Sequence, residues 1–167
     1  MLTITKEFHF SASHVLEGLP SWHPCARMHG HNYVVVLELR ASRDRLTPSG
    51  FVRDYRDLDE FKQWVDKTLD HRHLNESMEW NPTSENLAIW IYERWIEDFP
   101  ELTAVRVCET AKTTAEYRPG ALSELTAGAL NTRRVTTAPS FPGTRVARTG
   151  VLIGDGPERI GRQASGT

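Results

Sequence analysis

Hydrophobic positions along the chain change their spacing several times, and each change marks an element. In residues 2–10, Leu2, Ile4, Phe8 and Phe10 share one face of a strand, interrupted by Lys6. Residues 31–40, "HNYVVVLELR", are rich in Val and are followed by the turn-prone "TPSG" of 47–50, which predicts a second strand pairing antiparallel with the first. Over 57–69, Leu58, Phe61, Val65 and Leu69 follow at spacings of three and four, the single stripe of a helix, with Asp54 or Asp57 placed to cap it. A second helix starts after "NPTSEN", where Thr83 or Ser84 offers a capping oxygen. It carries Leu87, Ile91, Trp95 and Phe99 at every fourth position and stops at Pro100. Residues 103–110 alternate again, and 114–118 read as a short return strand.

The order strand, strand, helix, helix, strand, strand lacks the alternation of parallel crossovers. It predicts the α+β class: an antiparallel sheet with two helices packed on one face. From Pro119 the texture shifts to Gly, Pro, Thr and Ala with six Arg against three acids. Residues 1–118 are therefore expected to form one domain and 119–167 a largely disordered extension.

Composition narrows the function. Twenty Lys and Arg against 22 Asp and Glu give a formal charge of −2, so no whole-protein field invites nucleic acid. No apolar run approaches the roughly 20 residues of a membrane span, and the N-terminus alternates instead of forming a signal-peptide core; a cytoplasmic protein is expected. Two cysteines, Cys25 and Cys108, exclude a disulfide framework.

The densest chemistry is "CARMHGH" at 25–31. His29 and His31 lie one residue apart at the mouth of a strand, so both imidazoles leave the same face, and Gly30 between them permits close backbone approach. His14, in "FSASH", keeps the parity of Phe8, Phe10 and Ala12, so neighbouring antiparallel strands would complete a three-histidine set with an open fourth position, as in catalytic zinc sites. His23, in a loop, and His9, on the opposite strand face, stay outside that set. Cys25 has two readings: a thiolate closing the metal shell, or a base or nucleophile beside it. Asp70 adjoins His71 in "LDHRHLN", which reads either as a proton relay or as a polar helix end. Glu109 ends the apolar stripe of Val105 and Val107, either as a grip for a donor-rich heterocycle or as a solvated strand end. Cys108 faces the other way and reads as a small core residue.

Taken together, "FSASH", "CARMHGHNY", "LDHRHLN", "NPTSENLA" and "CET", in this order between Phe8 and Arg118, resemble the 6-pyruvoyl-tetrahydropterin synthase and 6-carboxytetrahydropterin synthase family. The resemblance implies the tunnelling fold, or T-fold, and a hexamer of two trimeric rings with active sites between subunits. It implies zinc on His14, His29 and His31, Cys25 as catalytic thiol, His71 with Asp70 as relay, and Glu109 gripping the pterin ring. Thr110 adjoins that grip, and charge alone nominates Arg27 and Lys112 for the triphosphate of 7,8-dihydroneopterin triphosphate. Three residues between Cys25 and "HGH" resemble the bacterial queuosine-route members. The implied product is therefore 6-carboxytetrahydropterin, formed with release of acetaldehyde and triphosphate. The alternatives are a 6-pyruvoyl-tetrahydropterin synthase or a non-catalytic zinc or pterin-binding module. Tyr55 departs from the resemblance, standing where Phe is expected, as does the extension after Pro119.

Overall fold

A computed structural model of the chain describes residues 1–120; the extension expected over 119–167 lies almost wholly outside them. Strand β1 (Leu2–His14) pairs antiparallel with β2 (His29–Ala41) over their whole length, from Leu2 opposite Ala41 to His14 opposite His29. Both strands outrun the sequence expectation at the end that carries the histidines. Helix α1 (Asp59–Thr68) follows a 3-10 turn over Tyr55–Leu58. The two-residue strand β3 (Arg72–His73), the short helix α2 (Leu74–Ser77) and helix α3 (Ser84–Trp95) come next, and β4 (Leu102–Thr110) and β5 (Thr113–Tyr117) form the closing hairpin.

The sheet order is β3-β1-β2-β4-β5. It is mixed rather than purely antiparallel, because β3 pairs parallel with β1 through Ala12–Arg72 and Ser13–His73. A two-residue strand carries no periodicity, so the sequence held no sign of it. The α+β architecture with helices on one face stands. Phe8, Phe10, Val35, Leu37, Val105 and Val107 bury one sheet face, against which Leu58, Phe61, Val65 and Leu69 pack, with Leu87, Ile91 and Trp95 from α3 and Phe99 from the turn after it, since the helix ends at Trp95 and not at Pro100. Each of those side chains, fully buried, contributes on the order of 1.5–3 kcal/mol. Thr83 caps α3 by accepting from the Asn86 N–H, whereas Asp54 caps the 3-10 turn, not α1 itself. Lys6, on the core-side parity, escapes burial by stretching its ammonium to the Tyr55 carbonyl at 2.8 Å.

The second sheet face has no helix over it. There Glu38, only 3% exposed, meets Arg118 at 2.6 Å, Arg106 at 2.9 Å and Arg40 at 3.0 Å, with Glu116 bridging Arg106 and Arg118. The bond from Arg118 and, after it, that from Thr103 hold the Glu38 carboxyl down to about 2, against desolvation. Cys108 also lies on this face, 3.2 Å from the Thr114 hydroxyl, and is half-buried. The core role expected for it is thus corrected. Among the described residues no helix is long and apolar enough to cross a membrane.

Candidate active site

The register that pairs His14 with His29 and Ala12 with His31 puts three imidazoles at one end of the buried sheet face. Their ligand atoms all lie within 4.8 Å of one another. His14 is 1% exposed; its Nδ1 bonds the Pro82 carbonyl at 2.7 Å, and the Nδ1 of His29 bonds the Arg27 carbonyl at 2.8 Å. A carbonyl can only accept, so both rings carry their hydrogen on Nδ1 and turn a bare Nε2 lone pair inward. The two Nε2 atoms stand 3.0 Å apart. With Nδ1 of both rings engaged by carbonyls, Nε2 is the atom each has left for a ligand, and a three-imidazole donor set so oriented at two of its members fits zinc. Burial lowers the His14 pKa toward the neutral ligand form, with the Pro82 bond opposing and the His29 ring assisting. Tyr33, buried beside them, brings its hydroxyl to 3.3 Å from the same Nδ1. Gly30 has a steric reason: a Cβ there would meet the Ala12 carbonyl oxygen at 2.9 Å.

Cys25 is not part of this cluster. It rides on a single 3-10 turn, Pro24–Ala26, whose cap is His23: the His23 Nδ1 accepts the Cys25 N–H at 3.1 Å. Its carbonyl takes the Leu16 N–H at 2.9 Å, tying the turn to the segment after His14. Glu109 approaches from β4. The β4–β5 register slips between Cys108 and Thr110, which leaves Glu109 as the extra residue of a β-bulge. It is close enough for its charge to act on His14 and Tyr33, and its side chain makes no hydrogen bond or ion pair with any described residue. A half-buried carboxylate beside the cluster is therefore available to a ligand.

Asp70 and His71 form a bonded pair, Oδ2 to Nδ1 at 2.8 Å. The Ser11 N–H to Asp70 Oδ1, at 2.9 Å, and then the His71 bond lower the Asp70 pKa. His71 sits in the left-handed region at φ 56°, its N–H on the Ser11 carbonyl. For a non-glycine residue that conformation costs about 1–2 kcal/mol. The ring is 83% exposed and borders a cleft of about 490 Å³ with Ser11, Ser13 and Asn32, which alternation sends to the second sheet face. His31 of the cluster lines the same cleft, and among the described residues no hydrogen bond or ion pair joins the Asp70–His71 pair to the three histidines.

The model of the family described as 6-pyruvoyl tetrahydropterin synthase matches residues 3–120. The chain belongs to the 6-pyruvoyl tetrahydropterin synthase family. It is 35% identical over 109 residues to an Archaeoglobus fulgidus protein provisionally named 6-carboxy-5,6,7,8-tetrahydropterin synthase, covering 65% of this chain and 89% of the relative. A Pyrococcus furiosus dihydroneopterin monophosphate aldolase is 34% identical over 54% of this chain and 72% of its own length. The structure of Caenorhabditis elegans 6-pyruvoyl tetrahydropterin synthase superposes with a TM-score of 0.62 at 31% identity, over 71% of this chain and 96% of that one.

Within this family fold the remaining nominated residues divide. Arg27 and Lys112 are exposed and make no ion pair among the described residues. Thr110 spends its hydroxyl on the hairpin turn, 2.8 Å from the Thr113 hydroxyl and accepting the Lys112 N–H. Sequence reasoning missed Pro82 and Tyr33, which orient His14, and Asn75 and Asn81, which hold the segment after it. The run "NPTSEN" was legible as a helix start. That its proline carbonyl would face a histidine 68 positions away was not.

Proposed function

We propose that this chain is a zinc-dependent 6-carboxy-5,6,7,8-tetrahydropterin synthase acting on 7,8-dihydroneopterin triphosphate, with release of acetaldehyde and triphosphate. The product would feed 7-deazaguanine synthesis, as for queuosine. The observation that carries the reading is the separation of roles at 14–31: three imidazoles converge while Cys25 stays out of their cluster. A sulfur within the set would complete four ligands and make the site structural. Held apart on its own turn, the thiol is left to act on a substrate.

His14, His29 and His31 would hold the zinc, which when bound acidifies protons on the hydroxylated side chain of the pterin. Cys25, as thiolate, takes one of those protons. Glu109 accepts from the donor edge of the pterin ring and so fixes where the side chain lies. His71 presents its free Nε2 for proton transfer, while Asp70 holds the hydrogen on Nδ1.

Because the His71 ring is 83% exposed and bonds only Asp70 among the described residues, the relay is open to a substrate bound at another copy's cluster. Open sheet edges support such an assembly: β3 covers only Ala12 and Ser13 of β1, and β5 is paired on one side only. Met1, Leu2, Phe51 and Tyr55 stand exposed around a 440 Å³ apolar hollow along the β1 edge. We propose the hexamer of the family on this basis.

The relative named an aldolase supports carbon–carbon cleavage on this scaffold. The nematode neighbour favours the second reading, formation of 6-pyruvoyl-tetrahydropterin without cleavage. Incubation of the zinc-loaded protein with dihydroneopterin triphosphate separates them. Acetaldehyde in step with triphosphate is expected. A pyruvoyl product without acetaldehyde establishes the second reading, and no turnover by metal-loaded protein leaves a binding module.

A further inference from the structure

Three residues follow His14 before the chain leaves the site, and the outer two are held alike. Val15 gives its N–H to Asn75 Oδ1 and receives Asn75 Nδ2 on its carbonyl, both at 2.9 Å. Glu17 does the same with Asn81, at 2.7 and 2.8 Å. Between them, the Leu16 N–H bonds the carbonyl of Cys25. Asn81 is followed by Pro82, whose carbonyl orients His14, and its own carbonyl is held by Asn86 Nδ2 at 2.9 Å. The segment 15–17 is thus gripped at both ends by side-chain amides while its middle carries the turn of the thiol.

We infer that Asn75 and Asn81 are positioning residues that fix the separation between Cys25 and the histidine cluster, an inference that rests on the zinc and thiol roles proposed above. The residue type suits the role. A carboxamide offers one acceptor and one donor on a single plane, matching the C=O and N–H of one backbone residue; a carboxylate would set a lone pair against the carbonyl, and glutamine is a methylene too long. Both side-chain amides are spent on the backbone of Val15 and Glu17 and neither bonds a cluster histidine, so each acts through the backbone it holds.

The test uses the full-length chain in a Cys108→Ser background, so that Cys25 alone is titrated by iodoacetamide. Asn81→Asp and Asn75→Ser are compared with Ile91→Val, which trims a fully buried side chain in the middle of α3 and loses stability only. The clamp variants are expected to bind zinc at least about 10-fold more weakly in chelator competition. They should also change the Cys25 alkylation rate by at least threefold, and lower kcat more than they alter KM. Ile91→Val should lower Tm and leave all three unmoved. Clamp variants with wild-type zinc affinity and thiol reactivity overturn the inference. Wild-type protein that binds no zinc removes the metal reading instead, and the alkylation rates still decide the clamp. Should Asn81→Asp not fold, Asn75→Ser decides the question in its place.

Discussion

His14 and His29 point their Nε2 atoms at each other across 3.0 Å while backbone carbonyls hold the far side of both rings. The His14 ring cannot turn away without leaving the buried Pro82 carbonyl unpaired. Zinc added to chelator-treated protein is therefore expected to stabilise it. At 100 times the Kd the gain is about 2.7 kcal/mol, or roughly 6–10 °C in Tm for a chain of this size. A melting curve indifferent to zinc and to chelator would sink the cluster as a metal site.

Gly30 should resist its smallest replacement. The Cβ of Gly30→Ala meets a backbone oxygen, so β1 and β2 must part where His31 leaves the sheet. A loss of about 1–3 kcal/mol is expected, together with weaker zinc binding. Gly50→Ala is the comparison: at φ +86° with nothing within 4 Å, it should cost only local backbone strain and leave zinc affinity intact. Equal zinc affinity in both variants would contradict the steric account.

His71 is placed at the expense of its own backbone. Glycine accepts φ 56° freely, so His71→Gly should hold urea-denaturation stability within about 1 kcal/mol of the parent while turnover falls at least about 100-fold. A variant that stays active would reduce the Asp70–His71 pair to a helix ending.

Glu38 sets an acid limb. Its folded pKa, about 2, lies below the ordinary 4.5. Its contribution is therefore fully present above pH 4.5 and is lost as pH falls from there through about 2. Over that window this group accounts for on the order of 3 kcal/mol. Glu38→Gln should be less stable at neutral pH and show a flatter decline in acid, read by denaturant titration at successive pH values. An unchanged slope would assign the acid limb to other carboxylates.

What could be read from the chain was whatever alternation governs. His14, His29 and His31 fall on one face because a period of two, anchored by Phe8, Phe10, Tyr33 and Val35, carries through to them, whereas Glu109 sits at a bulge that alternation does not announce. The rest depends on side chains that bind distant backbone. Asn75 and Asn81 reach residues 60 and 64 positions away, and such bonds leave no period in the sequence. Glu38 was visible only as an acid inside "VVVLELR", two positions from Arg40; its other arginine partners arrive 68 and 80 positions later, on strands whose pairing had first to be known. Burial of that carboxylate follows from topology, not from its neighbours in the chain.

As far as the sheet is concerned, Glu109 is a spare residue. The last β2–β4 pair is Val34 with Cys108, and the hairpin resumes at Thr110 with Thr113, so residue 109 belongs to neither ladder. A chain one residue shorter at this point would close the same hairpin with an unbroken run of bonds and no acid beside the histidines. The scaffold carries this carboxylate without depending on it for strand pairing.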